Sequence, residues 1–156
     1  MSSTVKAIPD GYRGVTPYIT VKGAADAIEF YKKAFGATEL FRLGAPDGKI
    51  GHAEIKIGDA IVMLSDEYPE MNVLSPGTIG GSPVTLHLYV EDVDAVAAQA
   101  IAAGAKVERP VEDQFYGDRG GKFTDPFGHR WWLATHKEDV SPDEMKKRAA
   151  AMFGGE

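Results

Sequence analysis

Four histidines, two adjacent tryptophans and no cysteine bound the chemistry open to this chain. His87 lies in Thr85-Leu86-His87-Leu88-Tyr89, where polar and apolar residues alternate. In a strand of period two, Thr85, His87 and Tyr89 share one face, and Leu86, Leu88 and Val90 share the other. An imidazole on the polar face offers ligand-binding or acid–base chemistry near neutrality. The alternative is a histidine satisfied inside a polar interior. His52 and Glu54 alternate on one face in the same way. With His87 they could hold a displaced divalent metal. They could equally pair with lysine or arginine on a solvated face, since Lys56 continues their row.

Trp131 and Trp132 must point to opposite faces of a strand. By the strand count Trp131 packs against a helix and Trp132 faces a cavity, as a stacking platform or as simple filling. The segment Asp113-Gln114-Phe115-Tyr116-Gly117-Asp118-Arg119 mixes polar and aromatic residues between strands. Tyr116 and Arg119 could gate a cavity mouth, with Arg119 binding an anionic group. The other reading is a bulged edge in which Arg119 and Asp118 pair at the surface. His129 and His136 sit in or after turns and are expected to be exposed. Without cysteine, disulfides, thiolate metal sites and a thiol nucleophile are excluded. No glycine-rich phosphate loop and no Gly-x-Ser-x-Gly elbow occurs.

These residues need elements to hold them, and the sequence supplies the same elements twice. Tyr18-Ile-Thr-Val-Lys-Gly, an apolar-periodic run and Gly36-Ala37 are echoed by His87-Leu-Tyr-Val-Glu-Asp, a second run and Gly104-Ala105. Val21 to Val90 is an offset of 69, and Gly58 to Gly128 is 70. A duplication of this size predicts two similar modules. In the first, Val15–Val21 reads as a strand with Thr16, Tyr18 and Thr20 on one face. A helix from Ala24 follows, with Ala24, Ala27, Ile28, Tyr31, Ala34 and Phe35 as its stripe and Gly36 as its stop. Strands at 38–43, 50–57 and 60–66 complete a β-α-β-β-β unit. The second module repeats the order. It has a strand at 84–90, a helix from Val93 capped by Asp92, and strands at 106–111, 119–124 and 130–135. Asp125-Pro126-Phe127-Gly128 suits a type I turn.

The boundaries expected are a flexible N-terminus at 1–11, modules at 12–66 and 84–136, a linker or lid at 67–83, and a tail at 137–156. In the tail, Ser141-Pro142-Asp143-Glu144 is a capping box. Met145, Ala149, Met152 and Phe153 then form a stripe that must be buried on the sheet or on a second subunit. The net charge of −6 and pI near 5.2 argue against nucleic acid or anionic membrane as partners. No apolar run is long enough to span a bilayer and no signal-peptide pattern opens the chain, so a cytoplasmic protein is expected.

Ala27-Ile28-Glu29-Phe30-Tyr31 closing at Gly36, with Asp125-Pro126-Phe127-Gly128-His129-Arg130-Trp131, resembles the vicinal oxygen chelate superfamily of glyoxalase I, bleomycin-resistance proteins and extradiol dioxygenases. His52 to Asp59 and Gly117-Asp118-Arg119 are similar to its PhnB-like branch. The resemblance implies an α+β fold in which two β-α-β-β-β modules form a cavity-bearing half-barrel pair, often as a homodimer. Metal-using members place four ligands on the first and last strands of the modules. Those positions fall here on Thr16, Met63, Thr85 and Trp132. Hydroxyls, a thioether and an indole N–H are not the usual ligands of a divalent ion. The resemblance then implies a binding protein without a cofactor. It would hold an aromatic or amphipathic small molecule by stacking, with Tyr18, the mate of His87, in the same cavity. The rival is a lyase, isomerase or dioxygenase with a divalent metal near His52, Glu54 and His87.

Overall fold

A computed structural model describes residues 4–154. The chain parts into two compact units between Gly81 and Ser82. In the first unit, β1 (Tyr18–Val21), α1 (Ala24–Phe35), β2 (Thr38–Gly44), β3 (Ile50–Ile57) and β4 (Ala60–Asp66) build a sheet of order β1-β4-β3-β2. β1 runs parallel to β4 and the other pairs are antiparallel. In the second, β5 (Thr85–Tyr89), α3 (Val93–Ala103), β6 (Lys106–Asp113), β7 (Asp118–Thr124) and β8 (Arg130–His136) give the order β5-β8-β7-β6 with the same polarity. The duplication is exact in register at its centre. Tyr18 stands opposite Met63, and 69 residues on, His87 stands opposite Trp132.

Each helix covers one face of its own sheet. Ala24, Ala27, Ile28, Tyr31 and Ala34 are buried as their spacing requires, and Phe30 is buried with them. They meet Ile19, Val21, Ile55, Val62 and Leu64, the apolar faces of the alternating strands. Gly36 and Gly104 both end their helices with positive φ, 69° and 119°, where a Cβ is disfavoured. Asp92 caps α3, its carboxylate accepting the Ala95 amide at 3.1 Å. On α3, Val93, Ala97 and Ala100 are buried, whereas Ile101 lies 47% exposed.

Several boundaries differ from the sequence reading. The first strand begins at Tyr18, because Pro17 has no N–H to give a ladder; its carbonyl accepts the Met63 amide at 2.9 Å. Thr16 therefore stands outside the strand on which it was expected, and Val15 is 95% exposed. The segment after β4 is no featureless linker. It carries a 3-10 turn at Pro69–Met71, a bridge between Tyr68 and Val73, and a short helix α2 (Pro76–Ile79), and it belongs to the first unit. Buried Glu67 holds it, accepting from the Ser75 amide at 2.9 Å and its hydroxyl at 3.0 Å.

The expected loose N-terminus falls partly outside the described residues; within them, Lys6 pairs with Asp10. Helix α4 (Pro142–Ala149) starts at the predicted cap, Ser141 Oγ accepting the Glu144 amide. Met145 and Ala149 are half-buried. Met152 and Phe153, in the wider turn that follows, are 61% and 74% exposed. No described helix is long and apolar enough to cross a membrane.

Candidate functional site

Because α1 takes one face of the first sheet, the residues of opposite phase are left on the other. Tyr18 and Thr20 on β1, His52 and Glu54 on β3, and Met63 and Ser65 on β4 share that phase. Three of them join in a line. The Tyr18 hydroxyl lies 2.8 Å from His52 Nδ1, and His52 Nε2 lies 2.7 Å from Glu54 Oε2. The His52 and Glu54 side chains are 26% and 18% exposed. They pair with each other instead of with a lysine or arginine, while Lys56 is exposed. The Phe41 ring stands 6.3 Å from the imidazole on the side of β2.

Beside this line is a cavity of about 430 Å³, lined by Tyr18, Thr20, Gly51, Ser65, Tyr68, Met71 and Val73. The last three come from the segment after β4, so that segment closes one side of it. The Tyr68 hydroxyl is buried without a hydrogen-bond partner. Burial, and then the nearby carboxylates of Asp47, Asp66 and Glu70, push its pKa up, so it stays a neutral phenol. Lys49 Nζ sits 5.1 Å from the centre of its ring. Sequence reasoning missed Tyr68, Met71 and Val73, because a segment without a period gives no face to count.

The second unit carries different chemistry on the corresponding face. His87 and Tyr89 rings lie 4.6 Å apart. The Tyr89 hydroxyl donates to Asp118 Oδ2 at 2.7 Å, and Asp118 Oδ1 is 2.7 Å from His136 Nδ1. His136 Nε2 is in turn 2.7 Å from Asp139. Asp118 first and Asp139 second hold the His136 pKa above its ordinary value, since both nitrogens face carboxylates. The bond to Asp118, and then burial, likewise raise that of Tyr89.

The bulged-edge reading paired Asp118 with Arg119 at the surface; Asp118 is 4% exposed and serves Tyr89 and His136 instead. Arg119 grips Asp94 with two bonds of 2.9 and 3.0 Å and reaches Asp113 at 3.2 Å. Its guanidinium is thus already engaged with carboxylates, Asp94 contributing most to raising its pKa. Tyr116 is half-buried, and its neighbour Phe115 packs edge-on to Phe153. Arg148 ties the tail to this loop through the Phe115 carbonyl and to the following turn through Glu138.

The two tryptophans take opposite faces, as expected, and no described cavity is lined by Trp132. Trp131 is buried, and its Nε1 donates to Asp125 Oδ2 at 2.9 Å. Asp125 Oδ1 accepts the amides of Phe127 and His129, closing the predicted turn. Trp132 takes the opposite face, half-buried, with its Nε1 enclosed and unpartnered. It lies so close over β7 that a Cβ on Gly120 would stand 2.7 Å from that nitrogen.

The four inherited metal positions do not suit a divalent ion. Thr16 is off its strand, Thr85 is an exposed hydroxyl, Met63 offers a thioether, and Trp132 can only donate. Among the described residues no group of three or more histidines and carboxylates is placed to hold a metal. Of the alternative set, His52 and Glu54 are bonded to each other within the first unit, and in the second the His87 ring lies tilted against Tyr89.

Residues 15–133 match the Glyoxalase/Bleomycin resistance protein/Dioxygenase superfamily. The chain belongs to that superfamily. An uncharacterized protein of Mycobacterium tuberculosis is 44% identical over 144 residues, covering 90% of this chain and 85% of its own. An Arabidopsis thaliana protein of known crystal structure is 29% identical with a TM-score of 0.64, over 79% of this chain and 98% of that one. The PhnB protein of Bacillus cereus shares the fold, with a TM-score of 0.63 at 18% identity over 79% and 99% of the two chains.

Proposed function

We propose that this superfamily member is a small-molecule binding protein that works without a metal, and that its ligand is an aromatic or amphipathic molecule in the first-unit cavity. The observation that carries this reading is the cavity of about 430 Å³, a size suited to a small organic ligand. Its lining supplies two aromatic rings, a thioether, a valine and a few hydroxyls. That is the balance of apolar wall and sparse polar groups by which such ligands are held. The poor donor set at the four inherited positions supports the metal-independent part.

A homodimer is part of the same proposal. Its support is exposed apolar surface at Leu40, Phe41 and Leu43 of the edge strand β2 and at Met152 and Phe153.

Equilibrium dialysis against a panel of planar aromatic compounds tests the reading, with and without a strong chelator. Binding should survive chelation. It should weaken about five- to tenfold in Met71→Glu, where a charge replaces apolar contact on a side chain exposed enough to leave the fold alone. Loss of binding on chelation would favour the metal-dependent enzyme instead.

A further inference from the structure

We propose that Tyr18, His52 and Glu54 form a proton relay that recognises the acidic O–H of a phenolic or enolic ligand. The inference rests on the cavity reading above and names the chemical class of its ligand. Glu54, as a carboxylate, can only accept, so His52 Nε2 carries the proton at their 2.7 Å contact. His52 Nδ1 is then the free lone pair, and the Tyr18 hydroxyl, 2.8 Å away, donates to it. Tyr18 lines the cavity and is 49% exposed. With its own proton committed to His52, its oxygen can only accept from a ligand. The relay therefore selects a donor.

Proton movement along this line balances without any further reagent. The ligand O–H bond breaks as its proton passes to the Tyr18 oxygen. The Tyr18 proton passes to His52 Nδ1. The imidazolium so formed stays against Glu54, and the ligand is left as an oxyanion. No electrons are exchanged. Glu54 behind His52 orients the ring, as the third group of a base-orienter pair does. The groups around His52 are Tyr18 from β1, the Phe41 ring from β2 and Glu54 from its own strand, with Met63 of β4 opposite both Tyr18 and Glu54.

The walls decide between donors. Among the described residues no carboxylate lines the cavity, and Met71, Val73 and the Tyr68 ring do. An ammonium ligand would enter without a counter-charge at the wall, at a desolvation cost. A neutral amine is too weak an acid to pass its proton. A phenol or enol joins a planar apolar body to an acidic O–H.

The probes are p-nitrophenol and its O-methyl ether, p-nitroanisole, which differ in the donor alone. At a pH where free p-nitrophenol is mostly protonated, the bound compound should show phenolate absorption. Wild-type protein should bind it at least about tenfold more tightly than the ether. Tyr18→Phe, checked for fold by circular dichroism, should lose the preference and the spectral shift yet keep its affinity for the ether. Glu54→Gln retains Tyr18 and the cavity wall. Its amide can donate to Nε2 and turn the imidazole proton toward Tyr18, so the preference should shrink there too. Equal binding of the two probes by wild type, or a preference that survives both substitutions, would overturn the relay and leave the cavity standing. Binding of neither probe would overturn the relay together with the cavity reading.

Discussion

The two modules share a frame and differ on the face that the frame leaves free. In both, the last strand sends a side chain to the first amide of the helix. Asp66 Oδ1 accepts the Ala24 amide at 2.9 Å, and 69 residues on, Thr135 Oγ1 accepts the Val93 amide at 2.8 Å. Asp66 adds the amides of Gly23 and Ile50, which the threonine cannot match. On the opposite face the contrast is sharper. Glu54 stands opposite Met63 and Lys122 opposite Trp132, so the residue two before each, His52 or Gly120, is the equivalent pair. In the second module an indole lies down on a glycine. In the first, a slimmer methionine leaves room for an imidazole, its carboxylate and its tyrosine. The duplication fixes where strands and helices go; at this one pair of positions a large side chain against a glycine makes the difference.

The cap comparison carries the largest expected effect. Asp66→Ala removes a buried acceptor from three backbone amides and should cost about 3–5 kcal/mol in urea unfolding. Thr135→Ala should cost about 1–2 kcal/mol. Equal losses would mean that Gly23 and Ile50 find other acceptors and that the two caps are equivalent after all.

The indole seated on a glycine should break next. Gly120→Ala drives a methyl to 2.7 Å from Trp132 Nε1 and 2.8 Å from the Leu133 carbonyl, an overpacking cost of about 2–3 kcal/mol with a changed tryptophan signal in near-ultraviolet circular dichroism. The reciprocal change, His52→Gly, removes two hydrogen bonds of a half-buried ring and frees the backbone, and should cost about 1–2 kcal/mol. If Gly120→Ala is silent, the indole is not seated as described.

The smallest effect concerns pH. The folded-state pKa of His136 is raised, first by Asp118 and then by Asp139, so its contribution is complete below the unfolded value of about 6.5. It is lost as pH rises through the folded value. Stability should therefore fall slightly on going from mildly acidic to mildly alkaline buffer, and His136→Gln should flatten that slope.

Much of this was legible before the fold was seen, wherever a period or a cap could be counted. Strand alternation put Trp131 and Trp132 on opposite faces, with Trp131 packed inside, and put His52 beside Glu54 on one face. It could not show that those two would bond each other, since alternation gives a face and not a partner. The partner came from the register of β1 on β4 on β3, which carries Tyr18 to His52 across 34 residues. Arg119 shows the same limit. Its charge suggested anion binding, and tertiary packing of α3 against the sheet set Asp94 within reach.

By itself the sequence determined the duplicated β-α-β-β-β order, the helix stops at Gly36 and Gly104, the Asp125 turn and the family. These depend on interactions between neighbours in the chain, whose geometry is set by backbone dihedrals and periodicity. Only the tertiary structure decided that residues 67–81 fold back on the first sheet, that Asp66 caps a helix 42 residues away, and that Tyr18 bonds His52. Each of these is a contact between segments far apart in sequence, where the identity of one residue says nothing until the other is brought beside it.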